Sequence, residues 1–210
     1  MKNFLAIDTS NDYLCVAAAK DGVITTAFIP DCAMKHSVSL MTAVQDVLDK
    51  AGLHLQECDC FAAAVGAGSF TGIRIGISAA KGFALATGKP TLPITSFDVL
   101  AYNSFESVQG KVLCLINALH DCYYVCGYEN GEVCYAPAYL TEAEVLDLEK
   151  QGFALVAGAE MPMCEKASVK ILSPSRGLVQ AVQAKLEKGE FGELNALYVR
   201  KSSAEINLCK

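Results

Sequence analysis

The spacing of apolar residues changes period several times along the chain, and each change marks an element. Residues 3–8 form a short apolar run that reads as a buried strand. Residues 13–20 and 23–29 read as two more strands, joined at Asp21-Gly22, a dipeptide suited to a tight hairpin. Over 37–51 the period becomes helical, with Leu40, Met41, Val44, Val47, Leu48 and Ala51 on one face, and Gly52 closes the run. Residues 61–65 are an apolar strand that enters the loop Gly66-Ala67-Gly68-Ser69. A helix over 71–87, a stop at Pro90, a strand over 91–95 and a helix from about Ser96 follow.

A composition change at 104–110 (SFESVQG) predicts a boundary, after which the pattern starts again. Residues 111–118, 122–128 and 132–140 read as strands, with Asn130-Gly131 as the second hairpin turn. Thr141 as N-cap with Glu144 three residues on forms a capping box for a helix over 141–151. A strand over 153–158 and a late helix over 175–188 complete the pattern; the tail after Arg200 is expected to be loosely held. From Asp8 to Gly22 is 14 positions (22 − 8), and from Asn117 to Gly131 is also 14 (131 − 117). Two α/β units at the same offsets suggest duplicated ribonuclease-H-like units of the actin and sugar-kinase superfold. The expected subdomains are 1–103 and 104–210, with the late helix packing back on the first.

Small residues mark one helix in particular. At about 100° per residue, Gly72, Gly76, Ala79, Phe83 and Ala86 share a stripe, with Ala80 at its edge. Arg74, Ser78 and Lys81 lie opposite. Glycine within a helix costs roughly 0.5–1 kcal/mol relative to alanine, so Gly72 and Gly76 point to close approach. The neighbour is either the chain's own sheet or a partner. Association with a partner predicts that Gly76→Arg separates the two while leaving the fold intact; unfolding of that variant points to internal packing.

The run GAGSFTGIRIGISAAKGFA over 66–84 resembles the signature of the TsaB (YeaZ) family, proteins of tRNA threonylcarbamoyladenosine synthesis. FLAIDTS over 4–10 and TLPITSFDVLA over 91–101 match as well, and LYVRKSSAE over 197–205 matches more loosely. The resemblance implies a non-catalytic subunit that binds the metal- and nucleotide-using paralogue TsaD and works with the ATPase TsaE. It also implies that tRNA is met only through the complex. Two helix faces, Leu40, Met41, Val44, Val47 and Leu48 with Gly72, Ile73, Gly76, Ala79, Ala80 and Phe83, are the expected partner surface. Alone, the same surface could pair with itself as a homodimer.

Composition fits that picture. The chain is 52% hydrophobic and 19% charged, enough for a large core and against disorder. Net charge is −6, a poor basis for holding tRNA phosphates unaided. Ten cysteines with no export signal are expected as reduced thiols in core positions of a cytoplasmic protein. The spacings Cys58-x-Cys60 and Cys122-x3-Cys126 are not those of a zinc site, and no apolar run suits a membrane span.

Catalysis has few candidates. In the superfold, the turn after each first strand grips phosphate with an acid, glycines and hydroxyls. Here Asp8, Thr9 and Ser10 are followed by Asn11 and Asp12, and Asn117 by Ala118, Leu119 and His120, both without glycine. Relatives in the TsaB family commonly carry Asp-Ala-Arg where this chain has Asn117-Ala118-Leu119. The spacing of Gly66, Gly68 and Gly72 matches neither a dinucleotide fingerprint nor a P-loop, and Ser69 or Thr71 is expected to cap the helix. The family's catalytic relative holds metal through an H-x-x-x-H pair, which reads His36 to Leu40 here, so no metal or cofactor is expected. His36 is expected to be solvated or a cap. The rival reading is a small ATP-dependent phosphotransferase or ATPase using Asp8, and a third is a scaffold for another complex.

Overall fold

The computed structural model describes residues 2–158 and 161–200; the tail after Arg200 lies outside the described residues. Strands β1 (Phe4–Asp8), β2 (Leu14–Lys20), β3 (Val23–Ile29), β4 (Cys60–Ala64) and β5 (Thr91–Ile94) form one sheet in the order β3-β2-β1-β4-β5. Strands β6 (Val112–Asn117), β7 (Cys122–Glu129), β8 (Glu132–Thr141), β9 (Ala154–Gly158) and β10 (Val169–Ile171) form the other, in the order β10-β9-β6-β7-β8. In both, the first three strands form an antiparallel meander and the last two run parallel to the first. This is a duplicated ribonuclease-H-like unit, the arrangement of the actin and sugar-kinase superfold.

The repeat is close but not identical. Asp8 pairs with Cys15, whereas Asn117 pairs with Tyr123, so the second unit's first turn is one residue shorter. β7 has 8 residues against the 7 of β2, which restores the common position of the following turns. β10 has only 3 residues and no periodicity of its own, so the apolar pattern does not announce it.

Strand alternation sorts the first sheet's side chains between two layers. Leu5 and Ile7 of β1 face α1 (His36–Ala51) and α2 (Phe70–Thr87), with Leu40, Val44, Val47, Ile73 and Ala80 in the same cluster. Phe4 and Ala6 face the other way, against Leu178, Ala181 and Val182 of α5 (Ser175–Lys188). α3 (Ser96–Ser104) follows the first sheet but packs Phe97, Leu100 and Ala101 on Val112, Cys114, Ile116 and Val156 of the second. α4 (Glu142–Lys150) covers the far side of that sheet through Val145 and Leu148. Each unit therefore lends its last helix to the other unit's sheet.

That exchange is fixed by polar contacts as well. Lys185 of α5 lies 3.0 Å from Asp98 Oδ2 on α3, and Tyr128 of β7 donates to Asp98 Oδ1 at 2.7 Å. Asp98 also accepts from the backbone N–H of Thr95 at 2.8 Å, closing a capping box at the start of α3. One carboxylate thus joins α3, α5 and the second sheet.

The nine described cysteines divide by exposure, and Cys209 lies outside the described residues. Cys15, Cys32, Cys58, Cys60, Cys114, Cys126 and Cys164 are buried thiols, as expected, but Cys122 is half-buried and Cys134 is exposed. Cys134 sits on β8, the edge strand of its sheet, in a run of three exposed residues at its start. Among the described residues no helix is long and apolar enough to cross a membrane.

Candidate cleft and interaction face

The turn after β1 is a closed polar knot. Asp8 Oδ1 accepts from the Ser10 backbone N–H at 2.9 Å and from Ser10 Oγ at 2.6 Å, and Oδ2 accepts from Tyr13 OH at 2.8 Å. Ser96 Oγ donates to Ser10 Oγ at 2.8 Å, tying the knot to α3. Asp8, Thr9 and Ser10 are buried. Burial pushes the Asp8 carboxyl above its ordinary 3.8, outweighing the hydrogen bonds that lower it. Burial, with Asp8 as its neighbour, also pushes the Tyr13 hydroxyl well above 10.0.

The glycine signature packs against this knot. Ser69 N–H donates to the Ser10 carbonyl at 2.7 Å, and Thr9 Oγ1 donates to the Gly72 carbonyl at 2.7 Å. A Cβ on Gly68 would overlap the Ser10 carbonyl, and one on Gly72 would overlap the Thr9 carbonyl. A Cβ on Gly76 would sit 2.6 Å from Thr9 Oγ1. The missing side chains bring α2 onto the chain's own first turn. Ser69 caps α2, its side chain accepting from Gly72 N–H at 3.2 Å.

Burial therefore redraws the expected partner surface. Leu40, Val44, Val47, Leu48, Gly72, Ile73, Gly76 and Ala80 are buried against the chain's own sheet, and Ala79 and Phe83 are half-buried beside the same cluster. Met41 is 54% exposed and stays available. Ala86, assigned to the small-residue stripe, faces solvent, while Ile77 and Ala84 line the buried face. Gly76 faces Thr9 and Ile7 rather than a neighbouring molecule, so Gly76→Arg reports on folding and not on association.

The face left open by α1 and α2 holds a groove of about 480 Å³ lined by Ser37, Leu40, Met41, Phe70, Thr71, Arg74, Ile75 and Ser78. Phe70, exposed at the first turn of α2, stacks on Tyr198 with ring centroids 5.1 Å apart. The Arg74 guanidinium lies 3.6 Å from the Phe70 ring centroid, and its Nε donates to Tyr198 OH at 3.0 Å. Phe70, Arg74 and Tyr198 escape the apolar-stripe reading because none lies on the small-residue stripe and Tyr198 is distant in sequence.

Behind Phe70 and Arg74 the two units enclose a cleft of about 1040 Å³. Asn11, Asp12 and Tyr13 line it from the first turn, Asn117, Ala118, Leu119 and His120 from the second. The two turns expected from the duplication thus meet across one cavity, but Asp8, Thr9 and Ser10 lie beneath its lining. In the second turn Asn117 Oδ1 accepts from Leu119 N–H at 2.9 Å, and Leu119, His120 and Asp121 all take positive φ.

A family model described as TsaD, tRNA N6-adenosine threonylcarbamoyltransferase, matches residues 22–188. The tRNA threonylcarbamoyladenosine biosynthesis protein TsaB of Escherichia coli is 33% identical over 129 residues, 61% of this chain and 55% of that protein. YeaZ from Pseudomonas aeruginosa superposes with a TM-score of 0.79 at 27% identity, covering 94% of this chain and 100% of that one. The chain belongs to the TsaB (YeaZ) family, within the wider TsaD type. A second Pseudomonas aeruginosa structure, described as similar to peptidase YeaZ, superposes with a TM-score of 0.81 at 25% identity over 95% of this chain and all of that one. The match to the curated TsaB of Escherichia coli spans about half of that protein's length.

One residue of this TsaB-family chain corrects an expectation. His36 is neither solvated nor a helix cap: it is buried, and its Nε2 lies 2.9 Å from the Tyr13 carbonyl oxygen. The start of α1 is thereby tied to the knot around Asp8. Leu40, one turn on, is buried in the core, so the helix carries no second imidazole beside it.

Proposed function

We infer that the chain is a non-catalytic subunit in formation of N6-threonylcarbamoyladenosine in tRNA. In this reading it supports a TsaD-type catalytic paralogue, with a TsaE-type ATPase, and meets tRNA through that assembly. The docking surface is the open face of α1 and α2, centred on Met41, Phe70, Arg74 and Ile75, with the buried glycines setting the helix positions beneath it.

The observation that carries the reading is the buried, internally bonded carboxylate of Asp8. All three of its hydrogen bonds come from Ser10 and Tyr13 of its own turn, and it is buried below the cleft. An acid so engaged, buried and outside the cleft lining is poorly placed to meet a metal-bound phosphate or an attacking hydroxyl. A net charge of −6 agrees with a subunit that leaves tRNA phosphates to others.

Omitting the chain from a reconstituted reaction tests this directly. Purified TsaD-type and TsaE-type proteins from the same source are given tRNA, ATP and the activated threonylcarbamoyl donor. Modification that requires the chain, together with no ATP binding or hydrolysis by the chain alone, is the expected result. Unchanged modification on omission, or tight Mg-ATP binding by the lone chain, overturns it in favour of a phosphotransferase or ATPase using Asp8.

A further inference from the structure

We propose that Arg74 is a preset anchor for a carboxylate side chain of the protein that docks on the α1–α2 face, with Phe70 and Tyr198 as the residues that position it. The proposal rests on the docking reading above and names the chemistry that the partner must bring.

Three observations lead to it. Arg74 lies where the groove and the cleft meet and lines both. Its guanidinium is stacked on Phe70, and its Nε is taken by Tyr198 OH. Among the described residues it forms no ion pair, so the two terminal nitrogens are left for another oxyanion. By contrast Arg176 is paired with Glu106, and Arg200 stacks on Tyr139 and bonds its hydroxyl.

An exposed arginine ordinarily loses much rotamer freedom on binding. Stacking on an aromatic face and a bond to Nε remove part of that loss in advance, and the planar fork then suits a carboxylate. Tyr198 owes its place to the C-terminal strap. Leu194 is buried in the first core, Gly192 N–H donates to Thr91 O at 3.1 Å, and Leu197 N–H donates to Val65 O at 2.7 Å. The strap therefore carries a tyrosine from the second half of the chain to the edge of the helix face.

Charge and polarity select a protein carboxylate over a nucleic-acid phosphate. α2 carries Arg74 and Lys81 and no acid, and α1 has no acid before Asp46, within a chain of net charge −6. The groove walls beside Arg74 include Leu40, Met41 and Ile75, and no lysine lines them. One cation among apolar residues and the hydroxyls of Ser37, Thr71 and Ser78 fits a single acidic side chain on a partner helix; a phosphate backbone is held by several cations. Exposed Met, Phe, Tyr and Arg together are also the composition of protein-interface anchors.

The test measures binding of the full chain to the purified TsaD-type paralogue by titration calorimetry, with thermal melts of every variant. Arg74→Gln is expected to weaken binding about 10–100-fold and Arg74→Lys nearly as much, because the fork is lost. Tyr198→Phe, which keeps the ring and loses the hydroxyl, is expected to weaken binding by about 3–10-fold through loss of positioning. Lys81→Gln on the same helix serves as the control and is expected to stay within about twofold. Wild-type binding that Arg74→Gln leaves intact overturns the anchor while the docking reading stands. Full rescue by Arg74→Lys overturns the fork, and tRNA binding by the lone chain that Arg74→Gln abolishes overturns the carboxylate assignment. Absence of wild-type binding overturns the docking reading itself and the anchor with it.

Discussion

Thr9 and Gly72 bond to each other across the first turn: Thr9 Oγ1 donates to the Gly72 carbonyl at 2.7 Å, 63 residues apart in sequence. The carbonyl of Thr9 in turn occupies the space that a Gly72 side chain would need. A loop that grips phosphate in this superfold leaves its backbone N–H groups open to the ligand. Here the Ser69 N–H is taken by Ser10 O, and the Ser10 N–H is taken by Asp8. The glycines of the signature close the turn against α2.

Gly72→Ala is therefore expected to destabilise the fold by about 1–3 kcal/mol, the usual range for overpacking a closed site. Gly76→Ala faces Thr9 Oγ1 at 2.6 Å and Ile7 Cγ2 at 3.4 Å, contacts that give slightly more readily, and is expected at the lower end. Denaturant titration of both variants checks this. Wild-type stability in Gly72→Ala would show that the turn and helix can separate freely.

Gly82 lies on the same helix with the opposite expectation. It is exposed, and nothing stands within 4 Å of a Cβ built there. Gly82→Ala should stabilise the chain by about 0.5–1 kcal/mol, since alanine restricts the unfolded chain and suits a helix interior. A melting midpoint raised by roughly 1–4 °C is the expected reading for a chain of this size. A fall would place a neighbour against α2 at that point.

Asp8 gives the chain a pH dependence of definite sign. Burial raises its carboxyl above the ordinary 3.8, so between that value and its folded value the native state holds more proton than the unfolded one. The stability contributed by Asp8 is complete below 3.8 and declines as pH climbs through the folded value. Asp8→Asn lacks this titration. The stability of wild type relative to Asp8→Asn should therefore shrink as pH rises above 3.8. Denaturant midpoints of the pair across that range decide it, and a gap that widens with pH contradicts the assignment.

Local chemistry made much of the fold legible. Asp21-Gly22 and Asn130-Gly131 turn their hairpins with Asp21 and Asn130 at positive φ, and Gly52 ends α1 at φ 60. Ser69 and the Thr141–Glu144 capping box start their helices. Each of these is a backbone requirement met by a residue within a few positions. The candidate face was less legible because a helical wheel gives the angle between residues but not which side meets the sheet. Ile73, Ile77, Ala80 and Ala84 turn inward with Gly72 and Gly76, and that leaves Arg74 and Ile75 outward. His36 escaped for a similar reason, since its partner is a carbonyl on a different element. The exchange of α3 and α5 between the sheets, and the meeting of Tyr198 with Phe70, depend on tertiary packing that no periodicity encodes.

Asp98 supplies the last prediction, because two side chains from different elements share its carboxylate. Lys185 reaches Oδ2 at 3.0 Å and Tyr128 OH donates to Oδ1 at 2.7 Å. With Lys185 at 20% and Asp98 at 10% side-chain exposure, the ion pair is shielded far better than the surface pairs of the chain. Lys185→Met keeps the aliphatic stem and should destabilise by about 1–3 kcal/mol, the range for a hydrogen bond to a charged group. Tyr128→Phe should lose about 1–2 kcal/mol for the same reason. Either variant leaves the carboxylate with its remaining donors, whereas the double variant leaves only the Thr95 N–H from the capping box. The loss in the double variant should therefore exceed the sum of the single losses by about 0.5 kcal/mol or more. Strict additivity in the double-mutant cycle would mean that Lys185 and Tyr128 act on Asp98 independently, with no coupling through its shared carboxylate.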